Sequence, residues 1–576
     1  MLTKHVNPDR LVQESHDKKT HTHSLTHTDT NVVQHAYGAR YGTSPIPKYH
    51  LASKGLDADS SYQLVHDELA LDGNPVLNLA SFVSTWMPSA ADKLMNENMN
   101  KNLIDCDEYP ATQLLHTRCI SILANLWHAP SAKQAIGTAT TGSSEAIQLG
   151  GLAMKRIWQA KRKAAGKSIH EPGPNIVMGA NAQVALEKFA RYFEVECRLV
   201  PVSVESKYRL DPKAAMQYVD ENTIGVYVIL GSTYTGHYEP VKEMADLLDK
   251  YEAETGNSVP IHVDGASGGF VAPFATPQLV WDFKIPRVVS INTSGHKFGR
   301  VYCGVGFVVW RDKAHLPKEL IFELHYLGSV EYSFSLNFSR PAAHVIAQYF
   351  NFIHLGFEGY RTIALNDLAN ARLLSRALEN SGYYTVLSDI HRPAPNVQSS
   401  VKHAIGADSN VENYMPGLPV VSFRFTDEFQ ERYPEVQQRW IQTLLRAKGW
   451  IVPNYELAPN LQNVQILRVV VRDSMTATVR KLSVYVTYRG LNFLKLVENL
   501  VSDIVSTDAR LIFGLLIFGL VRLKSLKVLW RRTVRRMLSA LWSMHSVRRN
   551  KNVEPWMREL EANRTAPLRS LASDAA

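Results

Sequence analysis

Between Gln113 and Gly356 six short apolar runs alternate with helical stretches, and this alternation constrains the fold more than any other feature of the chain. The runs are Asn175–Met178, Cys197–Pro201, Ile224–Leu230, Val259–Asp264, Val288–Ile291 and Gly304–Trp310, while Ile147–Ala165 carries the spacing of an amphipathic helix. Apolar strands separated by helices predict an α/β unit with a mostly parallel sheet covered on both faces. Open sheets of this kind bind ligands at the carboxyl ends of their strands, so chemistry is expected just after a strand.

Further along, a helix over Asn366–Ser381, strands at Val420–Phe425 and Gln465–Val471, and a helix over Val436–Lys448 predict a smaller α+β domain. Arg392–Pro416, rich in Pro, Ser and Asn, reads as a surface loop between the two. Near the start, Tyr62-Gln-Leu-Val-His-Asp-Glu-Leu reads as a helix running into the turn signal Asp72-Gly73-Asn74. Met1–Gly42 is polar and aperiodic; its His21, His23 and His27 read as part of a solvated arm rather than a metal site. No metal site is expected elsewhere.

The formal net charge of +9 invites a nucleic-acid reading until it is located. Eleven Lys and Arg and no acidic residue fall between Arg510 and Asn552, and from Arg510 onward the chain sums to +10, leaving about −1 for everything before it. The body is therefore neutral and the basicity belongs to a tail, which argues against nucleic acid as a partner. Cys106, Cys119, Cys197 and Cys303 are scattered without metal or redox spacing. With no signal-peptide core and no apolar run approaching the ~20 residues of a membrane span, the cytoplasm is the expected compartment.

Two segments carry the strongest chemical signal. His262-Val-Asp264-Gly-Ala266 closes one apolar run, and Ser294-Gly-His296-Lys297-Phe-Gly follows the next. A strand-end Asp264 can hold the ring nitrogen of a pyridine cofactor protonated, and Lys297 in a small-residue loop can bind an aldehyde as a Schiff base. His296 can contact a phosphate or transfer protons. Either segment alone is more often a cap or a surface loop; together they point to pyridoxal 5'-phosphate. Upstream, Thr141-Gly-Ser143-Ser144-Glu-Ala opens a helix, and its first N–H groups with two hydroxyls suit a phosphate.

With these motifs the chain resembles the glutamate decarboxylases, pyridoxal-phosphate enzymes of the aspartate-aminotransferase-type fold (fold type I). Further matching stretches are Asn100–Asp105 through Glu108-Tyr-Pro110, Leu126–Pro130, Lys188–Tyr192, Thr233–Gly236, His262–Phe274 and Asn337–Arg340, within a similarity running from about Gly42 to Ser474. The resemblance implies Lys297 as the Schiff-base lysine and Asp264 as partner of the ring nitrogen. It implies Ser143, Ser144, Ser294 and His296 at the phosphate, Ser339 reaching it from a neighbouring subunit, Gln183 on the pyridine face, and Thr233 and Ala266 as further cofactor contacts. For substrate it implies Arg468 at the α-carboxylate and Thr85, Asn102 and Asp105 at the distal carboxylate. Asp105 beside a carboxylate is a like-charge pair unless one proton is shared, which favours acid pH.

The implied reaction is decarboxylation of L-glutamate to 4-aminobutyrate and CO2; a decarboxylase or lyase of another amino acid on the same fold is the alternative. The implied organisation is a polar arm (1–42), a segment contributing to dimer and substrate pocket (43–112), a large cofactor domain (113–356), a small α+β domain (357–475) and a basic extension (476–576), in a homodimer at least, with a hexamer allowed. Thr476–Asn492 has no counterpart in the resemblance, after which Leu494–Ser506 reads as a helix. At 528–551, Trp530 and Trp542 with Val534, Leu538 and Leu541 form a basic amphipathic pattern. It suits calmodulin or an anionic membrane surface, a disordered tail being the alternative.

Overall fold

The computed structural model describes residues 49–325, 331–395, 397 and 409–472. The polar arm at 1–42, the insertion at 476–492, the stretch Leu494–Ser506 and the basic pattern at 528–551 lie outside the described residues.

The helices used below are α1 (Ala58–Leu69), α2 (Ser89–Glu97), α3 (Pro110–Leu126), α4 (Ser143–Ala164), α5 (Val184–Tyr192), α6 (Val241–Thr255), α7 (Ala343–Asn380) and α8 (Arg439–Arg446). The large sheet holds β1 (Ile136–Thr140), β2 (Asn175–Gly179), β3 (Glu196–Val200), β4 (Thr223–Ile229), β5 (Ile261–Asp264), β6 (Val288–Thr293) and β7 (Gly306–Trp310). Its order is β1-β7-β6-β5-β4-β2-β3, parallel throughout except for β7, which runs against both β1 and β6.

All residues of β2, β4, β5, β6 and β7 are buried; β2, β4 and β7 are accordingly mostly apolar, while β5 and β6 alternate apolar residues with the buried polar side chains His262, Asp264, Ser290 and Asn292. Helix α4 lies across the sheet. It carries Gly150 and Gly151 in its interior, a pair that costs about 1 kcal/mol each relative to alanine. Packing explains them: a Cβ on Gly150 would stand 2.5 Å from His262 Nδ1, and one on Gly151 2.4 Å from the Tyr227 hydroxyl and 2.5 Å from Phe189.

A hairpin of β8 (Phe322–Leu324) and β9 (Glu331–Ser333) follows the large sheet. The smaller sheet, antiparallel, has the order β10-β11-β13-β12, from β10 (Tyr384–Val386), β11 (Val420–Phe425), β12 (Asn454–Glu456) and β13 (Gln465–Val470). Hydrogen bonds dock it against the loop after β4: Leu418 N–H donates to Gly236 O at 2.9 Å, and Ser388 Oγ to Thr235 O at 2.8 Å. Asp389 adds an ion pair to Lys207 at 2.7 Å.

The expected strands are present, with ends shifted by a residue or two. Strand β1 went unread because Ile-Gly-Thr-Ala-Thr is short and only moderately apolar; its pairing with β7 supplies what its composition lacks. The predicted helix Asn366–Ser381 is the second half of α7, which bends at Gly356, where φ is 58°. Among the described residues no helix is long and apolar enough to cross a membrane.

Candidate active site

A cavity of about 290 Å³ opens at the carboxyl ends of β1, β2, β4, β5 and β6, where an open α/β sheet is expected to bind its ligand. Nine of the sequence-derived residues line it: Ser143, Ser144, Gln183, Thr233, Asp264, Ala266, Ser294, His296 and Lys297. A larger cavity of about 750 Å³ lies at the amino ends of β4, β5 and β6, between residues such as Trp158, Arg162 and Arg287, and holds none of them.

Each side chain is aimed by the strand that precedes it. Asp264 ends β5, and its Oδ1 accepts from Ala266 N–H at 3.0 Å and from Asn292 Nδ2 at 2.9 Å. Lys297 follows β6 and reaches across to Ser267 Oγ at 3.4 Å, with Nζ 5.3 Å from the centre of the Phe82 ring. Burial lowers the pKa of Lys297; Asp264 pulls it back up and Arg468 lowers it further. A lysine held this way exposes a free amine more readily than one in water.

The loop before α4 and the loop after β6 meet at Ser143 and Ser294, whose hydroxyl oxygens are 2.7 Å apart. Their approach depends on Gly306 at the start of β7, where a Cβ would fall 2.5 Å from Gly142 C and 2.8 Å from Ser143 N. Glu145, in the first turn of α4, receives Thr141 N–H at 2.8 Å and the N–H groups of Leu336 and Asn337 at 3.0 and 3.1 Å. Gly304 N–H points at His296 Nδ1 from 3.5 Å, and burial, aided by Lys297, lowers the pKa of His296 to about 4. Gln183 spends its amide oxygen on Ala185 N–H at 2.6 Å, capping α5.

The remaining candidates stand outside this lining. Arg468, on β13, donates from Nη1 to Thr233 O at 2.8 Å and from Nη2 to Ala80 O. Its guanidinium lies 4.9 Å from the Phe82 ring centre and 5.4 Å from that of Tyr455, and its Nε is buried without a partner. Asn102, Asp105 and Ser339 form a second cluster, in which Asn102 Nδ2 donates to Asp105 Oδ1 at 3.2 Å and to Ser339 Oγ at 3.3 Å. Thr85 sits beside Ser84, whose N–H donates to His296 O at 2.8 Å, and its own Oγ1 is buried without a partner.

Pyridoxal phosphate fits what this cavity offers. Two facing hydroxyls and the first N–H groups of a 22-residue helix can take a phosphate dianion. Asp264, with Oδ1 already bonded twice, can turn its other oxygen to a ring nitrogen. Lys297 supplies a partly buried amine for an aldehyde.

The pyridoxal-dependent decarboxylase conserved domain matches residues 47–399. A glutamate decarboxylase of Saccharomyces cerevisiae is 52% identical over 454 residues, covering 76% of this chain and 77% of its own length. The chain belongs to the glutamate decarboxylase family. A glutamate decarboxylase of Solanum lycopersicum, another member, is 48% identical over 443 residues, 76% of this chain and 82% of that one. The solved structure of a Lactobacillus brevis glutamate decarboxylase superposes with a TM-score of 0.71 at 38% identity, covering 79% of this chain and 97% of that chain.

For a glutamate decarboxylase family member, sequence reasoning missed three features of the site. Phe82 stands beside both Lys297 and Arg468, yet it lies in an ordinary apolar stretch that gives no signal. Glu145 ties the loop before α4 to Leu336 and Asn337, and Asn292 links Asp264 to His262 across β5 and β6, partners that are distant in sequence. His262 was inside a quoted motif, and the adjacent glycines in α4 were the signal that something bulky sits beneath that helix.

Proposed function

We propose that this chain carries out α-decarboxylation of L-glutamate with pyridoxal phosphate, giving 4-aminobutyrate and CO2 and taking up one proton. The observation that carries this reading is that Lys297, Asp264 and the Ser143–Ser294 pair share one cavity at the carboxyl edge of the sheet.

Pyridoxal phosphate, when bound, supplies an electron sink for the pair released as the bond from Cα to the carboxylate breaks. Lys297 Nζ is the amine that would hold the cofactor through its aldehyde carbon. Asp264 would hold the proton on the ring nitrogen, and Ser143, Ser144, Ser294 and the start of α4 would bind the phosphate. Thr233, Ala266 and Gln183 line the same cavity and would supply the remaining contacts to the ring. His296, kept neutral by burial, donates a hydrogen bond without adding a second positive charge beside Lys297.

Arg468 binds the α-carboxylate side through Nε, while its other nitrogens fix the guanidinium to the Thr233 and Ala80 carbonyls. An α-carboxylate held by Arg468 would be fixed in orientation, and that orientation would favour its loss over transamination, a positioning effect. Asn102 and Asp105, with Thr85, bind the distal carboxylate, and a proton shared between Asp105 and that group removes the like-charge repulsion. Because Asn102 is bonded to Ser339, whatever subunit receives Ser339 receives Asn102 and Asp105 with it. The resemblance that places Ser339 in a neighbouring subunit's site supports a homodimer as the minimum catalytic unit, with a hexamer allowed.

The same reading assigns the large domain to 113–356, the small one to 357–475, and the segment 43–112 to dimer and pocket. The four free thiols suit a reducing cytoplasm. For the basic pattern at 528–551 three readings stand, a tail with no partner, calmodulin, and an anionic membrane surface; calcium-dependent retention of that peptide on calmodulin, binding to anionic vesicles, or neither, separates them.

The test is CO2 release and product identity from purified protein with L-glutamate and pyridoxal phosphate at pH 5 and pH 7. Stoichiometric CO2 and 4-aminobutyrate, faster at the acid pH, are expected. Bound cofactor without CO2 from glutamate would overturn the substrate assignment.

A further inference from the structure

Asp264 is one end of a buried chain of polar side chains. Strands β5 and β6 run parallel with His262 opposite Ser290 and Asp264 opposite Asn292, which puts all four on one face beneath α4. None is more than 4% exposed. His262 Nδ1 is 2.7 Å from Ser290 Oγ, His262 Nε2 is 2.8 Å from Asn292 Oδ1, and Asn292 Nδ2 is 2.9 Å from Asp264 Oδ1.

The chemistry of the last member fixes the direction of every bond. An ionised carboxylate only accepts, so Asn292 must present its NH2 to Asp264 and keep its oxygen for His262. His262 then donates through Nε2, and its bare Nδ1 receives the hydroxyl proton of Ser290. All three donors point toward Asp264, an arrangement in which each bond polarises the next and favours negative charge at the end. Space for the imidazole is provided by Gly150, and the ring is held edge-on by Tyr227 with centroids 5.2 Å apart. A polar chain with no ligand duty would not need so oriented a set of donors in the middle of an apolar sheet.

We propose that Ser290, His262 and Asn292 are positioning residues that keep Asp264 ionised and aimed at the ring nitrogen of bound pyridoxal phosphate. The proposal rests on the assignment of Asp264 to that nitrogen. It gives His262, in the middle of β5 and away from the substrate, a measurable effect on cofactor affinity and on turnover.

Substitution at His262 tests it, using full-length apoenzyme and holoenzyme. In His262→Gln the side-chain NH2 can stand where Nε2 stood and still donate to Asn292; in His262→Asn it cannot reach. Titration of apoenzyme with pyridoxal phosphate, the absorbance of the bound cofactor, kcat and KM for L-glutamate, and thermal melting are measured for both. Expected for His262→Asn is a rise in cofactor Kd and a fall in kcat, each about tenfold, with KM within about twofold; His262→Gln should recover most of both.

A folded His262→Asn variant with wild-type Kd, absorbance and kcat overturns the proposal, as does His262→Gln performing no better than His262→Asn. Should His262→Asn fail to fold, Ser290→Ala decides: about a threefold rise in Kd supports the chain, and an unchanged Kd overturns it. Asp264→Asn separates the two levels of the argument. If it disturbs cofactor binding while the His262 variants do not, only the positioning chain is wrong; if it disturbs nothing, the assignment of Asp264 itself falls, and the proposal with it.

Discussion

The hydroxyl oxygens of Ser143 and Ser294 lie 2.7 Å apart although 151 positions separate them, joining the loop at the head of α4 to the loop that carries Lys297. Two hydroxyls that close can share one proton between themselves and offer the other to a phosphate oxygen, so their contributions to cofactor binding should be coupled. Ser143→Ala and Ser294→Ala are each expected to raise the Kd for pyridoxal phosphate about tenfold, and the double variant by clearly less than the product. Equilibrium titration of the three apoenzymes measures the coupling; strict additivity would mean that the serines act on separate oxygens or on none.

Among the described residues the Lys297 amine has one hydrogen-bond contact, 3.4 Å from Ser267 Oγ, and rests against Phe82, so removing it should leave the fold intact. Lys297→Ala is expected to melt within a few degrees of wild type, to lose the visible absorbance of bound cofactor, and to release CO2 at least on the order of 10³-fold more slowly. Normal turnover in this variant would remove Lys297 from the chemistry.

Arg468 binds two main-chain carbonyls while its Nε stays unpartnered, so the side chain latches the small sheet to the loop after β4 and keeps one donor for the α-carboxylate proposed above. In Arg468→Ala the cofactor absorbance should persist while kcat/KM for glutamate falls on the order of 100-fold. Wild-type steady-state kinetics would reject the substrate role and leave only the latch.

Gly151→Ala inverts an ordinary expectation. On an exposed helix the change stabilises by about 1 kcal/mol. Here the added methyl meets Tyr227 at 2.4 Å and Phe189 at 2.5 Å, both packed in the core. A net loss of about 1–3 kcal/mol is expected from urea unfolding, because the overpacking outweighs the propensity gain. A stabilised variant would show that α4 can lift from the sheet.

His116 and His262 should make the protein acid-labile. Burial lowers their pKa values to about 3 and about 4, with Arg340 adding to the effect on His116 and Asn292 and Asp264 opposing it at His262. Between pH 6.5 and about 4 the unfolded chain binds protons that the folded chain refuses, so stability is full above this window and declines as pH falls through it. The decline is about 1.4 kcal/mol per pH unit for each histidine. Because His116 Nε2 accepts Ala139 N–H at 2.9 Å, His116→Gln can keep that bond through its amide oxygen. Urea midpoints measured from pH 7 to 4.5 should show a slope shallower by about one proton in His116→Gln; an unchanged slope would mean that His116 is charged in the fold.

The Asp264 and Lys297 motifs were legible in the sequence because each combines a strand end with residue types that ordinary loops rarely bring together. The apolar runs of β2, β4 and β7 were legible because strands buried on both faces are mostly apolar, whereas in β5 and β6 the polar face of His262, Asp264, Ser290 and Asn292 is buried by pairing those side chains with one another. Strand β1 was not, because its stability comes from its pairing with β7, and neither were the supports of the site. Phe82, Glu145 and Asn292 each act on a partner far away in the chain, and no local pattern records such a meeting.

By itself, then, the sequence determined the α/β class through its apolar runs, pointed to the cofactor through the strand-end Asp264 and Lys297 motifs, and gave the family through ordered stretches that resemble a known group. Tertiary structure alone decided that Ser143 meets Ser294, that Arg468 is anchored on the Thr233 carbonyl, that Asn102 travels with Ser339, and that His262 lies two bonds behind Asp264. Those relations depend on strand order and on how closely α4 approaches the sheet, which are set by packing across the whole core.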